Sequence, residues 1–288
     1  MHKLNEHLTA RWIETLWPQP PEGEWFSVFA ADNNGDRRTI WAQTPLELAE
    51  NIDPLIGTHN LWLGVATRLT NMGSRRGSAA DCGHITGLWF DLDINGPNHS
   101  RNDYPPDEAT ALELIAAFPL PPTLIVRTGG GLQPWWLFKE PKAADEAGEL
   151  VEAWAHTWTE RFNAAGYHLD NVFDLARVMR IPGTFNHKSE PPKPVEIVDF
   201  ESGGRYGSDD IDQYLTTPPP KPEPSSLASH VPYIGPERPG DAFNTAHTGG
   251  DVLTAAGWQH VRDDHDGSHY KHPAATAQTS ATVYTDDG

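Results

Sequence analysis

Asp91 and Asp93 close an apolar run, Leu88-Trp89-Phe90-Asp91-Leu92-Asp93-Ile94, and a third acid, Asp174, opens Asp174-Leu175-Ala176-Arg177-Val178-Met179-Arg180-Ile181-Pro182-Gly183-Thr184. The first run reads as a buried strand, where an ionised carboxylate is costly unless something pairs it. Residues i and i+2 of a strand face one side, with Cα atoms roughly 6.5 Å apart. Two carboxylates that close repel each other, and a divalent cation is the usual reason to keep both ionised. For an isolated Asp-x-Asp the alternative is a pair of solvated acids just past a strand's end. With Asp174 and the cations after it, the chemistry expected is metal-dependent and directed at phosphates.

Those cations are Arg177 and Arg180, spaced i, i+3, and Lys188, which follows Asn186 and His187 beyond the Pro182-Gly183 turn. Acids would take the metal and guanidinium or ammonium groups the phosphate oxygens. Read alone, the arginines could equally be salt-bridge partners. Arg127-Thr128-Gly129-Gly130-Gly131-Leu132-Gln133 is the third constellation. Its glycines permit φ > 0 and close backbone approach, and successive N–H groups can form an anion nest. A plain hairpin turn would look the same. No Gly-Lys-Ser/Thr follows, so this is not a Walker A loop, and a strand rather than a helix comes next, so it is not a dinucleotide fingerprint. A further basic stretch holds Arg68, Arg75 and Arg76 without intervening acids.

The elements expected to position these groups form one α/β unit over residues 1–215. Helices are predicted at 9–17, at 44–51 behind a Thr44-Pro45 start, from Asp107 to Ala117, and at about 143–165. Strands are predicted at 25–30, 39–42, 60–66, 87–94, 123–128, 132–138 and 195–200, with Asp32-Asn33-Asn34-Gly35-Asp36 as a hairpin loop. Pro134 would place its strand at an edge or a bulge. Leu150, Trp154, Trp158 and Phe162 recur at i+4 and read as core, not as a base-stacking platform. Residues 216–240 open with five prolines in the nine residues Thr216–Pro224 and read as a semi-extended Pro/Ser-rich linker. Residues 241–288 form a small C-terminal segment, with a short helix at 244–257 and three possible strands. The chain stops at Asp286-Asp287-Gly288, which looks like mid-hairpin, so a module continuing beyond is expected.

Composition narrows the classes. A single cysteine, Cys82, excludes an intrachain disulfide and any zinc site built on several thiolates, and suggests a reducing interior. The N-terminus has no apolar leader and no run of 18 apolar residues occurs, so a soluble, non-exported, cytoplasmic protein with no membrane partner is expected. The net charge of −19 argues against a broadly basic nucleic-acid coat, though not against a local basic groove. No His-hydrophobic-His triplet supports a His-based nicking endonuclease. His260, His265, His269 and His272 read as solvated loop residues.

In order and type, the three constellations resemble the catalytic motifs of the archaeo-eukaryotic primase superfamily, most closely the primase-polymerase domains of bacteriophage and plasmid replication proteins. The likeness runs through Asp91-x-Asp93, Arg127-Thr128-Gly129-Gly130-Gly131 and Arg177-x-x-Arg180-Ile181-Pro182-Gly183-Thr184-x-Asn186, over roughly residues 20–200. It implies an α/β (α+β) primase-polymerase fold, with a central mixed or antiparallel sheet flanked by helices. It also implies a DNA-templated nucleotidyltransferase with a two-metal Mg²⁺ or Mn²⁺ site on Asp91, Asp93 and Asp174. Thr128, Gly129, Gly130, Gly131, Gln133, Arg177, Arg180 and Lys188 would bind the nucleotide, and Arg68, Arg75 and Arg76 the template phosphates. Implied partners are a single-stranded DNA template and primer, NTP or dNTP, and a helicase module downstream; the setting would be the host cytoplasm if phage-encoded. One departure stands out: where the family usually has a histidine in the second motif, this chain has Gln133, which donates only a neutral hydrogen bond. The alternatives are a metal-dependent phosphodiesterase or nuclease using the same acids, and a non-catalytic replication-origin or single-strand binding module.

Overall fold

The computed structural model describes residues 2–96, 101–200, 204–219, 243, 245–264, 267–275 and 278–284, with backbone alone at 2–7, 199, 200 and 208. The chain forms two units, Met1–Pro219 and Pro220–Gly288. The linker expected at 216–240 falls largely outside the described residues, as do His265 and the terminal Asp286-Asp287-Gly288.

In the first unit, α1 (His2–Leu16) precedes a hairpin of β1 (Phe26–Ala31) and β2 (Arg37–Ala42), then α2 (Pro45–Ile52). Thr44 caps α2, its hydroxyl accepting from Glu47 N–H, as the Thr-Pro start predicts. Next come β3 (Asn60–Gly64), β4 (Ala66–Arg68), β5 (Cys82–Trp89), β6 (Leu92–Asp93), α3 (Glu108–Ala116), β7 (Leu124–Arg127), β8 (Gly131–Ala143) and α4 (Gly148–Ala164). The unit ends with β9 (Val178–Arg180), β10 (Phe185–Asn186), β11 (Lys193–Pro194), β12 (Glu196–Phe200) and α5 (Ser208–Asp212).

The architecture is α/β with antiparallel sheets. A four-stranded sheet has the order β2-β1-β3-β9, and a six-stranded sheet runs β12-β7-β8-β5-β4, with β6 also on β8. β8 is therefore an interior strand, with β7 on one side and β5 and β6 on the other. This corrects the edge-or-bulge expectation for Pro134. The register explains why proline is tolerated: Trp89 pairs with Trp135 and Leu92 with Leu132, so Pro134 falls opposite Phe90, where the ladder is interrupted. Its missing N–H coincides with that gap, and the predicted single strand at 87–94 becomes two pieces.

The helix α4 buries Trp154, Trp158 and Phe162 as its i+4 spacing requires. Phe90 packs on Trp158 at 4.5 Å and on Trp136 at 5.8 Å, and Trp154 donates its indole N–H to the Trp89 carbonyl at 3.0 Å. Each such ring contributes about 3–5 kcal/mol on truncation. This aromatic layer clamps Trp89 and Phe90 and so sets the position of Asp91, the next residue.

The second unit holds α6 (Gly249–Ala255), capped by Thr248, and a three-stranded antiparallel sheet of β13 (Gln259–Asp264), β14 (Gly267–Lys271) and β15 (Ala281–Val283).

Candidate active-site cleft

The continuous register across the β5–β6 gap places Gln133 opposite Asp91 and Gly131 opposite Asp93. Cross-strand partners share a face, so Gln133 reaches Asp91 and hydrogen-bonds its carboxylate. Its Oε1 accepts from the backbone N–H of Arg180 at 3.0 Å. Gln133 thereby ties the Asp91 carboxylate to β9 of the smaller sheet, and at 2% exposure it is a link inside the wall and not a surface donor. At the facing position Gly131 has no side chain. A Cβ there would sit 2.1 Å from the Leu92 carbonyl oxygen, so only glycine lets β6 pair so closely.

Asp91 and Asp93 open into a cleft of about 580 Å³, lined also by Gly129–Gly131, Arg127, Arg180, Asn186, Lys188 and Lys193. That volume lies within the range of about 300–1,000 Å³ usual for small-molecule sites. Desolvation at the cleft floor, then repulsion from Asp93, pushes the Asp91 carboxyl up to about 6; Gln133, Arg180 and Lys188 act in the opposite sense.

Arg180 exerts the strongest cationic pull on Asp91, ahead of Lys188, and it is 5% exposed. Its two Nη atoms donate to Asn60 Oδ1 at 3.0 Å and Asn186 Oδ1 at 2.9 Å, and its guanidinium lies 4.9 Å from the Trp62 ring. Burial lowers it to about 10, with Asp91 and Asp93 pulling it back up, so it stays charged at neutral pH. Asn186 also donates to the Thr128 carbonyl at 2.8 Å and accepts from Lys188 N–H at 3.1 Å. One asparagine thus fixes the guanidinium, the glycine turn and the lysine together. Thr128 supports the turn from within, its hydroxyl donating to the Gly131 carbonyl at 3.1 Å. At the far wall Arg127 chelates Glu108, at 2.8 and 2.5 Å, and reaches Glu196 at 3.3 Å.

Asp174 is not part of this site. It pairs with Arg177 at 2.7 Å, and the next residue, Leu175, accepts from Cys82 Sγ at 3.2 Å. Cys82 begins β5 and the Asp91 gap follows its end, a span on the order of 20 Å at about 3.3 Å per residue. Among the described residues no group of three His, Cys, Asp or Glu side chains could hold a metal ion. The three-aspartate expectation is therefore corrected to two, because a turn at 174–177 intervenes before β9 enters the sheet. Arg177 leaves the site with Asp174: it donates to Asn171 O and lies outside the cleft.

Arg68 is likewise corrected. It is fully buried, donating to the carbonyls of Ala66 at 2.7 Å, Thr67 at 3.3 Å and Arg76 at 3.2 Å, so no template phosphate reaches it. Arg75 and Arg76 are exposed on the loop it anchors. Sequence reasoning passed over Asn60, Trp62, Glu108, Lys193 and Glu196. None carries a motif of its own, and only the tertiary fold brings them to the cleft or its wall.

By sequence, the chain matches no family model and no curated protein. By structure it is similar to the AEP domain of the cyanophage S-2L primase-polymerase, with 20% identity and a TM-score of 0.49 over 72% of this chain and 97% of that one. It is also similar to the primase RepB′, at 15% identity and a TM-score of 0.47, covering 73% of this chain and 62% of that one. The catalytic domain of primase RepB′ in complex with initiator DNA gives 15% identity and a TM-score of 0.43, over 72% and 93%.

Proposed function

We propose that this chain is a DNA-templated nucleotidyltransferase, with primase and polymerase chemistry, that adds nucleotides from NTP or dNTP to a 3′-hydroxyl on a single-stranded template. The observation that carries this is one cleft in which two carboxylates, Asp91 and Asp93, face Arg180, Lys188, Lys193 and a glycine turn. A hydrolase also uses acids and metal, but a bank of cations opposite them suits a ligand that brings several phosphates of its own.

The donor set fits a divalent cation such as Mg²⁺ or Mn²⁺. Magnesium is commonly held by one or two carboxylates, with substrate phosphates and water completing the octahedron. Asp91 and Asp93 would hold it. Without Asp174, a second ion would depend on the substrate for most of its ligands. When bound, the metal neutralises charge on the phosphoryl oxygens as the new bond forms. Lys188 and Lys193 would bind the outer phosphates, and the Gly129–Gly131 backbone would close on the sugar and phosphates. Arg180 keeps positive potential at the acids, and Gln133 orients Asp91 without titrating. A cytoplasmic setting and a helicase partner complete the reading.

The test is primer extension on a single-stranded template with labelled nucleotides and Mg²⁺ or Mn²⁺. Wild type should lengthen the primer, and Asp91→Asn with Asp93→Asn should lower the rate by at least 100-fold while still unfolding in one cooperative transition. Shortened products would make the chain a nuclease. Undiminished extension by the double variant would remove the site.

A further inference from the structure

We propose that the far end of the cleft, where Arg127 is held between Glu108 and Glu196, is the subsite that receives the sugar hydroxyls of a bound nucleotide. The proposal rests on the cleft being a site of templated synthesis, and it names the residues that recognise the part of the substrate without phosphate.

Three elements assemble the triad. Arg127 ends β7, Glu196 opens β12 directly opposite it in the register, and Glu108 is the first residue of α3, next to the Asp107 cap. Arg127 donates through Nε and Nη2 to the two Glu108 oxygens, and through Nη1 to Oε2 of Glu196. The guanidinium holds the Glu108 carboxyl below the usual carboxylate range, so that group is ionised at neutral pH. All three side chains line the cleft, and they are between 35% and 51% exposed. Ion pairs that open to solvent add little to stability, and stapling α3 or β12 to β7 needs one acid, not two. Two carboxylates on one guanidinium leave a negative charge in excess, and Arg127 engages only one oxygen of Glu196.

Charge is sorted along this cleft, whose lining includes four acids and four cations. Arg180 donates to the amide oxygens of Asn60 and Asn186, which leave its charge uncancelled, whereas Arg127 faces two carboxylates. Lys193 stands at the glycine turn, its Cβ 2.7 Å from where a side chain on Gly129 would begin. Glu196 follows Lys193 by three residues, at most about 10 Å along an extended chain. The wall therefore passes from a cation at the turn to a net anion around Arg127. Phosphates are drawn to the first end and repelled from the second, so a nucleotide lying along the cleft presents its nucleoside to the triad. Templated synthesis must accept every base, and the bases differ in their donors. Sugar hydroxyls are common to all of them, and an ionised carboxylate is a strong acceptor for a hydroxyl.

Calorimetric titration of the full chain with the Mn²⁺ complexes of ATP, 2′,3′-dideoxy-ATP and tripolyphosphate tests the subsite. Wild type should bind ATP about tenfold more tightly than the dideoxy compound, the loss expected when hydrogen bonds to a charged acceptor disappear. Glu108→Gln with Glu196→Gln keeps size and shape and removes the charge. In that variant the ratio should fall to within about twofold of unity, while tripolyphosphate binds more tightly because the repulsion is gone. A purely structural triad would leave the ratio unmoved. A preserved ratio in the folded variant, or a wild type that does not distinguish the two nucleotides, would overturn the subsite even if primer extension is metal-dependent. Collapse of the ratio in the variant, with no extension by wild type, would keep the subsite and remove the polymerase reading.

Discussion

Asp91 shows what it costs the fold to hold a carboxylate at the floor of the cleft. Its folded-state carboxyl binds a proton more tightly than the usual carboxylate, up to about 6. The unfolded chain therefore releases that proton first, and stability falls as pH rises between about 4 and 6. Below the ordinary carboxylate value the cost is absent; above about 6 it is complete. Asp91→Asn should accordingly raise Tm at pH 7.5 by a few degrees, on the order of 1 kcal/mol after allowing for the residue's partial exposure. The gain should vanish near pH 4. Added Mn²⁺ should raise Tm in wild type and not in the variant. A wild type that is the more stable at pH 7.5 without metal would contradict this account. Asp91, Asp93, Arg180 and Lys188 were legible at this scale because charged side chains near an apolar run must be paired. Asp174, Arg177 and Arg68 were misassigned for a related reason: an ion pair and three carbonyl contacts satisfy them elsewhere.

Elements place those side chains, and the decisive one is the interrupted edge between β5 and β6. The aromatic layer under α4 holds Phe90, Pro134 removes the ladder hydrogen bond opposite it, and Gly131 admits β6 on the far side. Gly131→Ala forces a Cβ onto the Leu92 carbonyl and must push β6 outward, taking Asp93 with it. Its expected cost is about 1–3 kcal/mol, as for overpacking of a tight interior. Divalent-metal affinity should fall with it, measured by Mn²⁺ titration on the folded variant. Unaltered metal affinity would mean that β6 is not what holds Asp93. Most helices and strands were readable from periodicity, caps and turn residues, but their ends were not: the first helix starts at His2 and not at 9, and β5 starts at Cys82 and not at 87. The break after Trp89 was not readable: it depends on which strand lies opposite Pro134, a non-local fact.

At the scale of the molecule, every cleft residue belongs to the first unit, between Trp62 and Glu196. A chain ending at Pro219 should therefore unfold cooperatively on its own and retain the affinity of the full chain for Mn²⁺-nucleotide within about twofold, by calorimetry. Marked loss of that affinity would show that residues beyond 219 help build the site. Sequence by itself determined the α/β composition, the carboxylate pair, the glycine turn and the aromatic core stripe, because each follows from neighbours along the chain. Tertiary structure alone decided which distant groups meet. Strand order put Arg180, Asn186 and Lys188 beside Asp91, sent Asp174 toward the opposite end of β5, and buried Arg68. Pairing across sheets is a property of register between remote segments, and no local pattern encodes it.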